Sequence, residues 1–94
     1  MATYSHKVQT AIAQSPKTLG SQLGRWAVHR GFPITKLAKA TGATRQTLYN
    51  WFAGGNVTQA YQERVREILD VLKSSPTEED AWKKICSRYE IRSK

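Results

Sequence analysis

Two short apolar stripes at helical spacing, separated by a glycine-containing turn, occupy the middle of this 94-residue chain. The first stripe contains Ile34, Leu37, Ala38 and Thr41. The second contains Leu48, Trp51 and Phe52. Gly42 can take the left-handed conformation that ends a helix, Thr44 can cap the next one, and Gly54-Gly55 permits another such turn. The spacing predicts a helix from Pro33 to about Thr41, a tight turn, and a second helix from Arg45 to Ala53.

Three further helical patterns flank this pair. One runs from Ser15-Pro16 to about Arg30, because Ser caps free N–H groups and Pro is tolerated at the first helical position. Another runs from about Thr58 to Lys73 and leaves Glu63, Arg64, Arg66, Glu67 and Asp70 in solvent. The last opens at Ser75-Pro76-Thr77-Glu78, which has the spacing of a capping box. Its apolar stripe contains Ala81, Trp82, Ile85, Cys86 and Tyr89. Residues 1–14 are either a frayed arm or a short helix.

Charge is distributed unevenly along the chain. Residues 1–62 carry no acidic residue and seven basic ones, namely Lys7, Lys17, Arg25, Arg30, Lys36, Lys39 and Arg45. From Glu63 onward, eight basic residues meet seven acidic ones. A surface without carboxylates suits a polyanion, and neutralising the phosphates of nucleic acid releases counterions that drive binding. Nucleic acid is therefore the predicted partner. The alternative is that the positive charge only keeps the protein soluble.

The second short helix turns hydrogen-bonding side chains outward. With its apolar stripe facing the core, Gln46, Asn50 and Ala53 point fully away, with Tyr49 and Thr47 beside them and Thr44 and Arg45 at the leading end. Arg can bridge guanine O6 and N7, and Gln or Asn can pair with adenine N6 and N7. Since the major groove of duplex DNA admits one α-helix, this pattern predicts a helix-turn-helix. The predicted base-reading residues are Thr44, Arg45, Gln46, Tyr49 and Asn50. A helical hairpin with a solvated polar face is the alternative.

The stretch LAKATGATRQTLYNWFAGG (Leu37–Gly55) resembles the helix-turn-helix of the phage Cro and repressor family, with Leu-Ala, three residues, Gly, and a polar stretch before an aliphatic residue. The resemblance extends from about Leu19 to Leu72. It implies a compact bundle held by Leu37, Ala38, Gly42, Leu48, Trp51 and Gly54. It also implies base reading or groove entry by Thr44, Arg45, Gln46 and Asn50, and contact between Asn56 and the DNA backbone.

The chain departs from the family pattern at the start of the first helix of the pair. The family often has Gln there, bound to phosphate, after a Ser or Thr cap; this chain has Ile34 after Pro33. Other basic side chains could replace the missing contact. The expected backbone-contacting residues are Lys17, Arg25, Lys36, Lys39, Thr47 and Asn56. The segment from Ser75 lies outside the resemblance.

Together these features predict an all-α fold, a compact bundle of about five helices with a helix-turn-helix, plus an extra C-terminal helix. The expected organisation is an arm or short helix at residues 1–14, the DNA-binding domain at 15–73, and a C-terminal helix at 74–94. The Trp82 stripe of that last helix either packs on Tyr61 and Val65 or pairs two chains. A homodimer through residues 75–90 is slightly favoured, because the family commonly reads palindromes as dimers.

Catalysis is not expected. His6 and His29 are the only histidines, no carboxylate precedes Glu63, and one cysteine with two separated histidines does not make a zinc site. No cofactor and no small-molecule substrate are expected. Cys86 is predicted to be a buried, inert thiol. The chain has neither a signal-peptide pattern nor an apolar run of roughly 18 residues, so it is expected in the cytoplasm of a prokaryotic cell or phage-infected host, without membrane contact.

The predicted function is sequence-specific binding of double-stranded DNA by a small phage or prokaryotic transcriptional regulator, which represses by covering a promoter. One alternative is the DNA-binding antitoxin of a toxin–antitoxin pair, with the Trp82 helix holding the toxin. Another is an architectural or recombination accessory protein that bends DNA with little sequence preference. An RNA-binding module is less favoured, because the deep, narrow major groove of RNA does not admit a reading helix.

Overall fold

The computed structural model describes residues 4–15 and 17–91, and these form six helices without a strand. The helices are α1 (His6–Gln14), α2 (Leu19–Arg30), α3 (Ile34–Thr41), α4 (Arg45–Phe52), α5 (Gln59–Ser74) and α6 (Glu78–Tyr89). The all-α prediction is confirmed. The chain before residue 15, for which an arm and a short helix were both open, contains a nine-residue helix.

The α3–α4 pair follows the predicted pattern. Gly42 ends α3 in the left-handed conformation with φ 79°, and its N–H donates to Ala38 O. Thr44 then caps α4, because its Oγ1 accepts a hydrogen bond from the Thr47 N–H at 3.1 Å. Gly54, at φ 102°, turns the chain away after Phe52. These turns set the two short helices at an angle with a connection of three residues.

The two Ser-Pro pairs do not open helices, so that prediction is wrong at both places. Thr18 caps α2 in a reciprocal capping box with Ser21, whereas the Ser15 hydroxyl donates to Ile12 O at 2.7 Å and closes α1. Pro16 lies outside the described residues. Near the other pair, Thr77 caps α6 and Ser75 ends α5 as a fully buried residue. In both cases a serine that could cap the next helix ends the preceding one instead.

Helix α2 lies at the centre of the bundle and packs against α1, α4 and α5. Its contact with α4 depends on small residues: a Cβ at Gly20 would lie 2.6 Å from the Trp51 carbonyl oxygen, and one at Gly24 would lie 2.8 Å from the Phe52 ring. Such distances are shorter than van der Waals contact, so only glycine lets the two helices approach this closely. The close approach fixes α4 against the core along its apolar side.

Helix α6 packs on α5 and α3 and buries Ala81, Trp82 and Ile85 of its apolar stripe within the chain. Trp82 is 7% exposed and meets Phe32 edge to face, with ring centroids 6.0 Å apart. Arg64 of α5 connects α6 to α3, because its guanidinium donates to Ala40 O at 2.6 Å and lies 3.8 Å from the centroid of the Tyr89 ring. The central residues of the stripe that suggested a surface between two chains are therefore part of the chain's own core. Cys86 at the edge of this stripe is partly exposed, so the prediction that it is buried is wrong.

Candidate nucleic-acid interface

The outer side of α4 presents the predicted polar side chains to solvent. Gln46 and Asn50 are exposed, as are Thr44, Arg45 and Ala53. On the opposite side, Leu48, Trp51 and Phe52 are at most 3% exposed. This register follows from the 3.6-residue period, since burying three apolar residues of an eight-residue helix leaves the intervening positions facing outward.

The two amides on this side lie one turn apart and touch each other. Gln46 Nε2 donates to Asn50 Oδ1 at 3.4 Å, near the upper limit for a hydrogen bond. Both side chains remain in solvent, where such a long contact contributes little. The pair can therefore exchange this mutual contact for hydrogen bonds to an external partner.

The leading end of α4 combines one charged and two hydroxyl side chains. Arg45 is exposed and has no ion pair or hydrogen bond to any residue that the structure describes. The hydroxyls of Thr44 and Thr47 are used locally, because Thr44 Oγ1 donates to Thr47 Oγ1 at 3.0 Å and accepts from the Thr47 N–H. Arg45 is thus the group at this end that has unused donors for a ligand.

Tyr49 occupies the flank of this side rather than its centre. Its ring is partly buried and meets Phe52 edge to face, with centroids 6.1 Å apart. The ring therefore contributes to the core, and the exposed remainder borders the row formed by Gln46 and Asn50. Of the five side chains expected to read bases, four lie fully exposed and Tyr49 is shared with the core.

The basic residues expected to contact the DNA backbone separate into two groups. Lys17 and Lys39 are exposed. Lys36 instead faces α6, where its ammonium pairs with Glu78 and lies 5.5 Å from the centroid of the Trp82 ring. Arg25 faces α1 and donates to Ser15 O at 3.3 Å. The sequence shows that Lys36 and Arg25 are charged, but their partners belong to other helices or loops and could not be predicted from it.

Asn56 follows α4 and is exposed at the edge of a cleft of about 360 Å³ between the start of α2 and the start of α5. Gln62 and Arg66 of α5 also line this cleft. Arg66 was expected only to be solvated, and no feature of the sequence connects it with Asn56. Asn56 and Arg66 line one cleft because the start of α2, the loop after α4 and the first half of α5 lie close together.

The acidic residues that the structure describes belong to α5 and α6 or directly follow α6. None of them belongs to α4. Two ion pairs, Lys36–Glu78 and Arg88–Glu67, hold α6 to its neighbours. Within residues 4–15 and 17–91, no group of three metal-ligating side chains is close enough to hold a metal ion, and no helix could cross a membrane.

Burial raises the pKa of Tyr4, whose hydroxyl donates to Phe32 O at 2.7 Å inside the core. Burial, with a hydrogen bond from Tyr89 to Glu67, also raises the pKa of Tyr89 to about 12. Neither tyrosine belongs to the outer side of α4. The chemistry available on that side is hydrogen bonding and positive charge.

Comparison of the chain with family models, curated proteins and solved structures gave no match. The likeness to the Cro and repressor family therefore rests on the residues quoted above and stays a prediction.

Proposed function

We propose that this protein binds double-stranded DNA with sequence preference, and that α4 enters the major groove. The observation that carries the proposal is the outer side of α4, where Arg45, Gln46 and Asn50 are all exposed and no carboxylate is present. A helix that is merely exposed to solvent usually carries both positive and negative residues. Helix α4, in contrast, lies within the first 62 residues, which contain no acidic residue.

Base recognition in this proposal uses three side chains. Arg45 reaches a guanine through O6 and N7, and the amides of Gln46 and Asn50 each reach an adenine through N6 and N7. Because α4 is held to α2 by close contacts at Gly20 and Gly24, the three side chains keep a fixed spacing. Fixed spacing converts separate hydrogen bonds into a preference for one order of bases.

Contacts to the phosphates orient the helix in the groove. The proposal assigns them to Lys17, Lys39 and Asn56, which are exposed, with Thr47 at the start of α4. Lys36 and Arg25 are not included, because their side chains serve the contacts with α6 and α1. A homodimer is not included either, because the Trp82 stripe is covered within the chain.

The biological role that fits this activity is a small transcriptional regulator of the Cro and repressor type, acting in a prokaryotic cell or its phage. A helix-turn-helix domain that occupies a promoter can block transcription without catalysis or a bound effector. The role is a proposal that follows from the site and from the resemblance.

Selection of bound duplexes from a random pool tests the proposal. We expect enrichment of a short motif containing guanine and adenine contacts. The matched control is the double variant Gln46→Ala, Asn50→Ala, whose exposed positions leave the fold intact and whose selection should lose that motif. Recovery of duplexes without any shared motif would contradict sequence-specific binding and favour an architectural role. A palindromic motif would indicate that two chains bind together.

A further inference from the structure

The polar cleft next to the end of α4 has three walls. Thr18 comes from the start of α2, Asn56 from the loop after α4, and Gln62 and Arg66 from the first two turns of α5. The cleft is partly open to solvent. Its size, about 360 Å³, exceeds that of a phosphate group and a few waters.

Arg66 supplies the charge of the cleft. It is the only charged residue among those that line it, and its guanidinium has no hydrogen bond, ion pair or ring contact with the described residues. Glu63 and Asp70 lie about one turn away on the same helix, yet neither lines the cleft nor pairs with Arg66. The five N–H donors of the guanidinium are thus unused by the part of the chain that the structure describes.

Two hydrogen bonds fix the position of this cleft relative to α4. Gln62 Nε2 donates to Val57 O at 3.0 Å, which fixes the loop to α5. The Gly55 N–H donates to Asn50 O at 2.8 Å, which fixes the same loop to α4. An anion in the cleft would therefore sit at a constant distance from the outer side of α4.

We propose that the cleft seats one phosphodiester of the DNA strand beside the groove that α4 occupies, with Arg66 as the principal contact and the Asn56 amide as the second. This inference rests on the proposed function. The planar guanidinium can donate two parallel hydrogen bonds to the two free oxygens of a phosphodiester. It adds α5 to the interface, an element that the sequence pattern did not connect with DNA.

The test compares Arg66→Gln with Lys73→Gln. Both residues are exposed, both substitutions remove one positive charge, and the two positions lie on the same helix about 10 Å apart. The probe is a labelled duplex of about 20 base pairs of mixed sequence, two helical turns, titrated by fluorescence anisotropy at several salt concentrations. Each phosphate contact contributes about 0.9 to the slope of log affinity against log salt.

We expect Arg66→Gln to reduce that slope by about 0.9 and Lys73→Gln to leave it unchanged. Between about 50 and 200 mM salt, this difference makes the loss of affinity about three- to fourfold smaller for Arg66→Gln than for the unmodified chain. Asn56→Asp, which places a carboxylate in the cleft, should weaken binding at least as much as Arg66→Gln.

A second measurement identifies the ligand as a phosphate. Replacing single phosphates of the duplex recovered by selection with neutral methylphosphonates should weaken binding of the unmodified chain at several positions, and Arg66→Gln should lose its sensitivity at one of them. Equal salt slopes for the Arg66 and Lys73 variants would overturn the phosphate seat and leave the proposed function standing. Absence of salt-dependent duplex binding by the unmodified chain would overturn both.

Discussion

Helices α4 and α6 are both short, amphipathic and capped by a threonine, but their polar residues serve different purposes. Helix α6 places Glu78, Glu79 and Asp80 in its first turn, where negative charge is favoured by the helix dipole. Helix α4 has no acid there and begins with Arg45, a positive charge at the positive end of the dipole. The first arrangement stabilises its own helix, and the second does not.

The partners of these side chains extend the contrast. Around α6, Glu78 pairs with Lys36 and Glu67 accepts from Tyr89, so polar groups at both ends of the helix hold it to the bundle. On α4, Arg45 has no hydrogen bond or ion pair with the described residues, and among these Gln46 has only the long contact to Asn50. A polar surface that does not stabilise the fold is available for binding, and this is the physical basis for assigning function to α4.

The largest expected effect is on α6. Trp82→Ala should lower the free energy of unfolding by about 3–5 kcal/mol, because it empties the space beside Phe32 in the core. Trp82→Phe keeps most of the apolar volume and removes a buried indole N–H that has no acceptor among residues 4–15 and 17–91, so it should cost much less. Urea unfolding measures both. A transition midpoint that rises with protein concentration would contradict an intrachain role for this stripe.

Reversing the charge at the start of α4 should separate stability from binding. Arg45→Glu replaces a charge that the helix dipole disfavours with one that it favours. We therefore expect the free energy of unfolding to rise by about 0.3–1 kcal/mol. The same change should weaken duplex binding by more than the roughly 1–3 kcal/mol of a single base contact. Thermal unfolding and anisotropy titration measure the two quantities. If stability and affinity fell together, the charge pattern of α4 would be structural.

Removing one amide from α4 should affect base choice rather than general affinity. Gln46→Ala should cost roughly 1–3 kcal/mol on the preferred duplex and much less on a mixed duplex, because the lost hydrogen bonds go to base edges. Gln14→Ala is the matched control, an exposed glutamine at the end of α1. Equal losses on both duplexes would assign Gln46 to the phosphates instead.

The Lys36–Glu78 ion pair joins α3 to α6, and it tests whether Lys36 stabilises the fold or binds DNA. Its side chains are 30% and 23% exposed, so the pair should contribute about 0.2–1 kcal/mol, less at high salt. A double-mutant cycle with Lys36→Gln and Glu78→Gln measures this coupling. Lys36→Gln should leave the salt slope of duplex binding unchanged. A slope reduced by about 0.9 would restore Lys36 to the DNA backbone contacts.

A further effect, confined to alkaline pH, is the stability that protonated Tyr89 supplies. Because its pKa rises from 10.0 to about 12 in the folded chain, the native state holds the phenolic proton more tightly than the unfolded state. This stability is present below pH 10 and is lost as the pH rises towards 12. Tyr89→Phe should lose less stability over that interval than the unmodified chain. Tyr4 adds a similar loss in both proteins, so the difference between their unfolding curves isolates Tyr89.

The predicted helices agree with the structure where local signals are unambiguous. Gly42 and Thr44 define the turn between α3 and α4, since the conformation and the cap each depend on residues close by in sequence. At Ser15 and Ser75 the local signal has two solutions. A serine can close one helix or cap the next, and Thr18 and Thr77 are equally able to cap. The preceding helix extends as far as its packing allows, and that extent decides between them.

By itself, the order of residues determined the helical class, the α3–α4 turn, the exposed register of Gln46 and Asn50, and the absence of acid before Glu63. These properties depend on neighbours within about one helical turn or on composition. The tertiary structure decided the partner of Lys36, the covering of Trp82 and the cleft that brings Asn56 and Arg66 to the start of α2. Each joins residues that are distant in the chain, and such contacts depend on how apolar faces pack together.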